Sequence, residues 1–379
     1  MNIGLLGFGV VGGGVYEWIR GRSDMEVTKV FCRSPKPGLE KVAVYDAKEI
    51  LDDPAIDTVV EVMGGLHPAY EMVSAALKSG KNVITANKNL ISAYYTELIS
   101  LARDNRAALR CTAACGGGIP WLVNLERCKR LDTVCEVGGI MNGTTNFIMD
   151  AMHRSPVSFS EILKQAQALG YAEADPSADI DGNDIRRKLV ISASVAFDAL
   201  VREEDIPMFG IRTVSAADIA AFQSHGFVCK LMASAQRSGD RISAYLEPTL
   251  LGKTDLEAAV PANYNLITYT GEAIGPQSFF GQGAGRYPTA YNVVQDCLDV
   301  LQGQTAFYTD AMAPAALDPD AVMHPYYVRT AAPDAWLEER VADRWDCGVI
   351  TGAVPAFEML SWASEQLRRD PACFIAGIR

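Results

Sequence analysis

The sequence predicts an α/β domain built on a parallel sheet, then an α+β domain, then a small α+β module at the C-terminal end. Three observations carry this reading. Strand-like and helix-like segments alternate through the first 120 residues, as a parallel sheet requires. Longer strand-like runs then take over at 133–141 and 241–249, with helical patterns at 159–169 and 185–200 between them, which suits a mostly antiparallel sheet. The last 55 or so residues read strand 326–330, helix 334–344, strand 347–354, helix 356–369 and strand 373–378.

The opening segment is the most specific. An apolar run, 2–6, leads into Gly7, Gly9 and Gly12 at the G-x-G-x-x-G spacing, and a helical pattern follows. In that context the first glycine makes a tight turn, the second lets a pyrophosphate approach the backbone, and the third lets helix and strand pack closely. The N–H groups at the helix start then face a phosphate. This predicts a Rossmann-type dinucleotide-binding domain over 1–125. Further strands are expected at 26–32, 58–63, 81–86 and 110–115, with helices at 68–79 and 92–105. The expected layout continues with a substrate and dimerisation domain at 126–282 and a helix at 283–310 that returns to the nucleotide domain. A Pro- and Ala-rich linker at 311–325 precedes the C-terminal module at 320–379.

Composition narrows the partners. The 379 residues are 49% hydrophobic and 21% charged, ordinary for a globular protein of two or three domains. A net charge of −12 argues against nucleic acid and against an anionic membrane surface. No apolar stretch approaches the roughly 20 residues of a membrane span. A strand starting at residue 2 leaves no room for a signal peptide. Nine scattered cysteines suit a reducing cytoplasm, and four histidines away from cysteine pairs make a zinc site unexpected.

The second strand ends in Cys32, Arg33, Ser34, Pro35, Lys36, with no carboxylate to take a ribose 2′-hydroxyl. Arg33 and Lys36 are either partners for a 2′-phosphate, which would favour NADP while leaving NAD possible, or solvated loop cations. Residues 170–188 read GYAEADPSADIDGNDIRRK, with Glu173, Asp175, Asp179, Asp181 and Asp184 ahead of an apolar helix. Asp184 and Lys188 share a helix face. They are either a surface ion pair or, in a partly closed cleft, a proton-transferring lysine among acids that hold a substrate ammonium. Lys88, in TANKN after the strand at 81–86, stands where ligands bind open α/β sheets, or is an exposed loop lysine.

The chain resembles the homoserine dehydrogenase family from residue 1 to about 305. The collinear segments are GFGVVGGGV, TANKN, GGGIP at 116–120, GIMNGTTNFI at 139–148, GYAEADPSADIDGNDIRRKL and GAGRYPTAYNVVQD at 283–296. The resemblance implies NAD(P)-dependent interconversion of L-homoserine and L-aspartate 4-semialdehyde, on the route to threonine, methionine and isoleucine; separately, the strand edges of the domain at 126–282 are expected to pair across a two-fold interface in a homodimer. It implies Lys188 as proton donor and acceptor, with Lys88 at the cofactor and substrate. Glu173, Asp184 and Asp179 would be substrate-side acids, and Asn142, Gly143 and Thr144 the substrate-side turn. Phe8, Val10 and Val11 would lie in the pyrophosphate turn, and Gly64, Gly170 and Gly285 would contact cofactor.

Two features depart from the family. Its members often hold a monovalent cation near GGGIP, using a glutamate and backbone carbonyls. Here the glutamate position is Thr112, leaving at most a weak sodium site on the carbonyls of Cys115, Gly117 and Ile119. The tail is similar to an ACT regulatory domain, but short and without its glycine-rich ligand turn, so it is either a degenerate ACT-like module used for packing or dimerisation or an unrelated extension. Two other functions compete: a Cys-dependent semialdehyde dehydrogenase using Cys111 or Cys115, and a non-catalytic NADP-binding regulatory protein.

Overall fold

A computed structural model describes residues 1–305 and 312–379. The expected boundaries of the returning helix and the linker therefore fall partly outside the described residues. Two compact units emerge: Met1–Leu131 with Ser194–Leu200 and Gly281–Ala313, and Asp132–Ala193 with Val201–Phe280 and Pro314–Arg379.

Among the described residues the first unit holds a six-stranded parallel sheet. Its order is Ala43–Val44, Glu26–Phe31, Asn2–Leu6, Thr58–Glu61, Asn82–Thr85, Leu109–Arg110, or 3-2-1-4-5-6 in chain order. That is the doubly wound dinucleotide-binding order, whose ligand crevice lies at the carboxyl ends of the strands where the order reverses. The central strands are largely buried and apolar in their middles, as expected where helices cover both faces of a parallel sheet. Helix Arg286–Leu301 lies against helix Val10–Ile19, and a Cβ on Gly14 would stand 2.9 Å from the Ala290 Cβ. The chain thus returns to this unit after a long excursion.

The second unit is organised by a larger mixed sheet. Its path runs Gly275–Gln282, Tyr264–Gly271, Val134–Ile140, Phe227–Ser238, Arg241–Gly252, Phe374–Ile378, Tyr326–Arg329, Gly348–Thr351, Val341–Trp345. The long hairpin of Phe227–Ser238 and Arg241–Gly252 is antiparallel over its whole length. Leu266, Ile140, Met232 and Leu251 form a core cluster with Val260, and helix Gly143–Arg154 packs against strands Phe227–Ser238 and Tyr264–Gly271.

The tail is a βαββαβ unit with strand order 4-1-3-2 and antiparallel neighbours. It is built into the second unit, because Phe374–Ile378 pairs with Arg241–Gly252 and continues the sheet. The helix expected at 334–344 is a single turn, Ala335–Glu338, followed by strand Val341–Trp345. That strand hairpins onto Gly348–Thr351 through Asp346 and Cys347, and Trp345 stacks on His225 at 3.8 Å. Tertiary pairing overrides the local helical pattern there. The described part of the expected linker is not a free tether either. Ala316–Leu317 pairs with Arg241–Ile242, and Met323–His324 pairs with Val354–Pro355.

Candidate active site

In the first unit the three glycines divide their work as the spacing predicts. Gly7 has φ +102°, a turn that an L side chain resists. A Cβ on Gly12 would collide with the Gly7 carbonyl, so strand and helix approach only through a bare backbone. Gly9 precedes the helix, and a Cβ there would meet nothing within 4 Å. The space above Gly9 is therefore open to a ligand at a helix N-terminus. Phe8 lies in the turn, whereas Val10 and Val11, expected there, open helix Val10–Ile19, with Val10 67% exposed. Gly64, with φ +75°, is equally open, and Gly285 begins helix Arg286–Leu301. Arg33 and Lys36 are exposed just beyond Cys32, and among the described residues neither forms an ion pair.

The strand ends also hold a residue the sequence reading overlooked. Glu61, fully buried, closes strand Thr58–Glu61 and accepts hydrogen bonds from the Met63 N–H at 2.8 Å and the Thr85 hydroxyl at 2.6 Å. Burial pushes its carboxyl above the ordinary range, and these donors pull it back. Asn87 donates to the Gly65 carbonyl at 2.7 Å and caps the next helix through the Leu90 N–H. Because of that cap the helix starts at Lys88 and not near residue 92. Lys88 is thus a half-buried first-turn residue and not a loop lysine. An acid ending an otherwise apolar strand was the signal available for Glu61.

The second unit gathers the residues that the resemblance places on the substrate side. Lys188 and Asp184 are 7% and 6% exposed, so theirs is no surface pair, and Nζ lies 2.7 Å from Oδ2. The same Nζ donates to the Met141 carbonyl at 2.7 Å. Asn142 donates to Asp179 at 2.7 Å and to Asp184 at 2.9 Å. Its own Oδ1 accepts from the Thr145 N–H, capping helix Gly143–Arg154. Thr144 donates to the Tyr171 carbonyl at 2.6 Å, holding the turn against the acidic loop. A lysine held this way can exchange a proton with a substrate oxygen, while the acids accept from an ammonium.

The acidic run resolves into different duties. Asp181 is bound by Arg212 at 2.6 and 2.7 Å, and Asp175 caps the turn at Ser177. Asp179 and Asp184 join the lysine cluster, whereas the Glu173 carboxylate is exposed and bonded to none of these residues. Gly170, also in this unit, has φ +75° and ends the turn after helix Phe159–Ala168.

Asn146, inside the GTTNFI segment, and Lys230 were not singled out from sequence. Lys230, 1% exposed, donates to Asn146 Oδ1 at 2.9 Å and to the Val260 carbonyl at 2.8 Å. Asn146 Nδ2 reaches the Ala262 carbonyl at 2.9 Å. Together they bind the loop at 260–264 to the helix that begins with the substrate-side turn. Burial lowers Lys230 to about 8.

The cation site suggested by resemblance does not fit these residues. Thr112 donates its N–H and hydroxyl to Asp296, and Asn292 donates to the carbonyls of both Gly117 and Ile119. Cys111 and Cys115 are completely buried, which does not suit an attacking thiolate.

An open glycine turn on a 3-2-1-4-5-6 sheet, with a buried lysine among carboxylates in a second unit, defines a dinucleotide-dependent oxidoreductase. Comparison with known proteins makes this specific. Residues 7–111 match the model of the homoserine dehydrogenase NAD-binding domain, and residues 120–298 match that of homoserine dehydrogenase itself. A homoserine dehydrogenase of Synechocystis sp. is 38% identical over 371 residues, covering 93% of this chain and 84% of that one. The Bacillus subtilis enzyme is 37% identical over 319 residues, covering 80% and 73%. The crystal structure of a homoserine dehydrogenase from Thiobacillus denitrificans superposes with a TM-score of 0.89 at 29% identity, covering 100% of this chain and 98% of that one. The chain belongs to the homoserine dehydrogenase family. No helix among the described residues is long and apolar enough to cross a membrane.

Proposed function

We propose that this protein reversibly reduces L-aspartate 4-semialdehyde to L-homoserine, prefers NADP over NAD, and works as a cytoplasmic homodimer. The observation that carries the reading is the buried Lys188 ammonium, fixed between Asp184 and the Met141 carbonyl. Gly9, Gly64 and the N-terminus of helix Val10–Ile19 would hold the pyrophosphate, and Arg33 and Lys36 a 2′-phosphate. When bound, the nicotinamide supplies the hydride for reduction and takes it up in oxidation.

The protein's own residues manage the rest. During reduction negative charge grows on the aldehyde oxygen, and Lys188 stabilises that charge and delivers the proton. In oxidation Lys188 accepts the hydroxyl proton. Asp179, Asp184 and, on substrate arrival, Glu173 orient the amino group, while the turn at Asn142–Thr144 sets the position of the carbon chain. Lys88 adds a second cation on the cofactor side. Dimerisation is supported by strand Gly275–Gln282, a sheet edge on which Phe280 is 55% exposed and stacks on Tyr264.

Homoserine-dependent reduction of NADP and NAD, measured in parallel with and without threonine, tests the reading. Turnover with NADP ahead of NAD is the expected result. Tight NADP binding without any homoserine oxidation would establish the non-catalytic regulatory protein instead. Sedimentation of the full chain checks the dimer.

A further inference from the structure

We propose that in this chain the carboxamide of Asn292 does the work that a monovalent cation does beside GGGIP in relatives, so its stability and activity do not depend on sodium or potassium. The inference concerns one loop of the first unit and adds to the proposed activity without being needed for it.

A cation on such a loop gathers backbone carbonyls that would otherwise repel one another, and a nearby carboxylate balances its charge. Here both halves of that arrangement are occupied by protein. Asn292 is 2% exposed, and its Nδ2 donates to the Gly117 carbonyl at 2.6 Å and the Ile119 carbonyl at 3.1 Å. Ile119 also accepts from the Trp121 N–H at 2.8 Å, which uses the remaining lone pair of its oxygen. The amide hydrogens therefore take the place in which positive charge would sit.

The acid half is also internal. Thr112, at the position expected to carry a glutamate, donates its N–H at 2.8 Å and its hydroxyl at 2.6 Å to Asp296. Arg110, fully buried, donates to Asp296 at 3.1 Å and to Asp299 at 2.6 Å. The nearest carboxylate is thus already matched by a guanidinium. Asn292 and Asp296 stand four apart on helix Arg286–Leu301, so one helix face supplies both substitutes. The loop they hold is tightly placed. The Gly118 N–H donates to the Gln282 carbonyl at 3.1 Å, and a Cβ on Gly118 would stand 2.7 Å from Pro288. Asn292 is accordingly a positioning residue for GGGIP.

The test compares thermal midpoint and homoserine-dependent NADP reduction in sodium, potassium and choline chloride at equal ionic strength. A cation that binds the native state raises the midpoint with its concentration, whether or not substrate turns over. For the wild-type chain the three salts should agree within about 1 °C and about twofold in rate. Asn292→Asp replaces the donor with a carboxylate of the same shape, and should lower the midpoint in choline and recover it in sodium or potassium. Asn292→Ala serves where the aspartate variant does not fold, and should lower the midpoint by leaving two buried carbonyls short of a donor. Strong sodium stabilisation of the wild type would overturn the proposal. So would an Asn292→Ala protein whose midpoint in choline matches the wild type. Failure to oxidise homoserine would sink the proposed activity but leave the midpoint comparison standing.

Discussion

The glycine turn at Gly7–Gly12 and the lysine cluster at Lys188 meet their ligands by opposite means. The turn offers backbone N–H groups and the open space above Gly9, which a side chain at that position would fill. The cluster offers charged side chains, held in place by groups distant in sequence such as the Met141 carbonyl and the Asn142 carboxamide. A backbone site is therefore damaged by adding atoms, and a side-chain site by removing them. Both should leave the other unit's ligand untouched, which makes the comparison testable.

The largest effect should come from Lys188→Ala. Losing an acid–base group typically costs roughly 10²- to 10⁴-fold in turnover, while NADP affinity, read by fluorescence titration, should stay near normal. A variant with near wild-type turnover would break the assignment. On the backbone side, Gly9→Ala and Gly12→Ala should separate binding from folding. A methyl on Gly9 fills open space, so the protein should fold normally and bind NADP about tenfold more weakly or worse, given that direct N–H contact is lost. A methyl on Gly12 strikes the Gly7 carbonyl, so that variant should lose thermal stability as well.

A smaller effect concerns cofactor choice. Arg33→Ala combined with Lys36→Ala should raise the KM for NADP by about tenfold, since each exposed charge contributes modestly, and leave that for NAD unchanged. Equal losses for the two cofactors would show that the cations do not read the 2′-phosphate.

A further effect is on stability against pH, within the second unit. Burial lowers His153 from 6.5 to about 4, and its Nε2 accepts from the Cys229 N–H at 2.9 Å. A folded value below the unfolded one means its contribution is fully present above about 6.5 and is lost as pH falls towards 4. The loss is at most about 3 kcal/mol for a shift of this size. His153→Gln keeps an acceptor without titrating, so denaturant melts of that variant should be flatter over this window. An unchanged acid limb would assign the acid sensitivity to other groups.

Several elements were legible because their causes are local. The helix at Ala356–Arg369 matches the pattern read from sequence, and strands Glu26–Phe31 and Asn82–Thr85 fall within the expected runs. Asn87 shows the limit of such reading, since its capping role moves the helix start to Lys88. Val341–Trp345 shows it again, where a hairpin partner and the His225 stack convert a helical pattern into a strand.

By itself the sequence determined the dinucleotide turn and the acid-flanked lysine, since glycine spacing and a four-residue helical step are constraints between near neighbours. Tertiary structure alone decided which acids join Lys188, how Glu61 and Lys230 brace the two sites, and that Asn292 and Asp296 fill the place beside GGGIP. Those outcomes rest on hydrogen bonds between residues tens to nearly two hundred positions apart. Only the packed chain brings such groups within 3 Å, and only burial makes leaving one unpaired costly enough to matter.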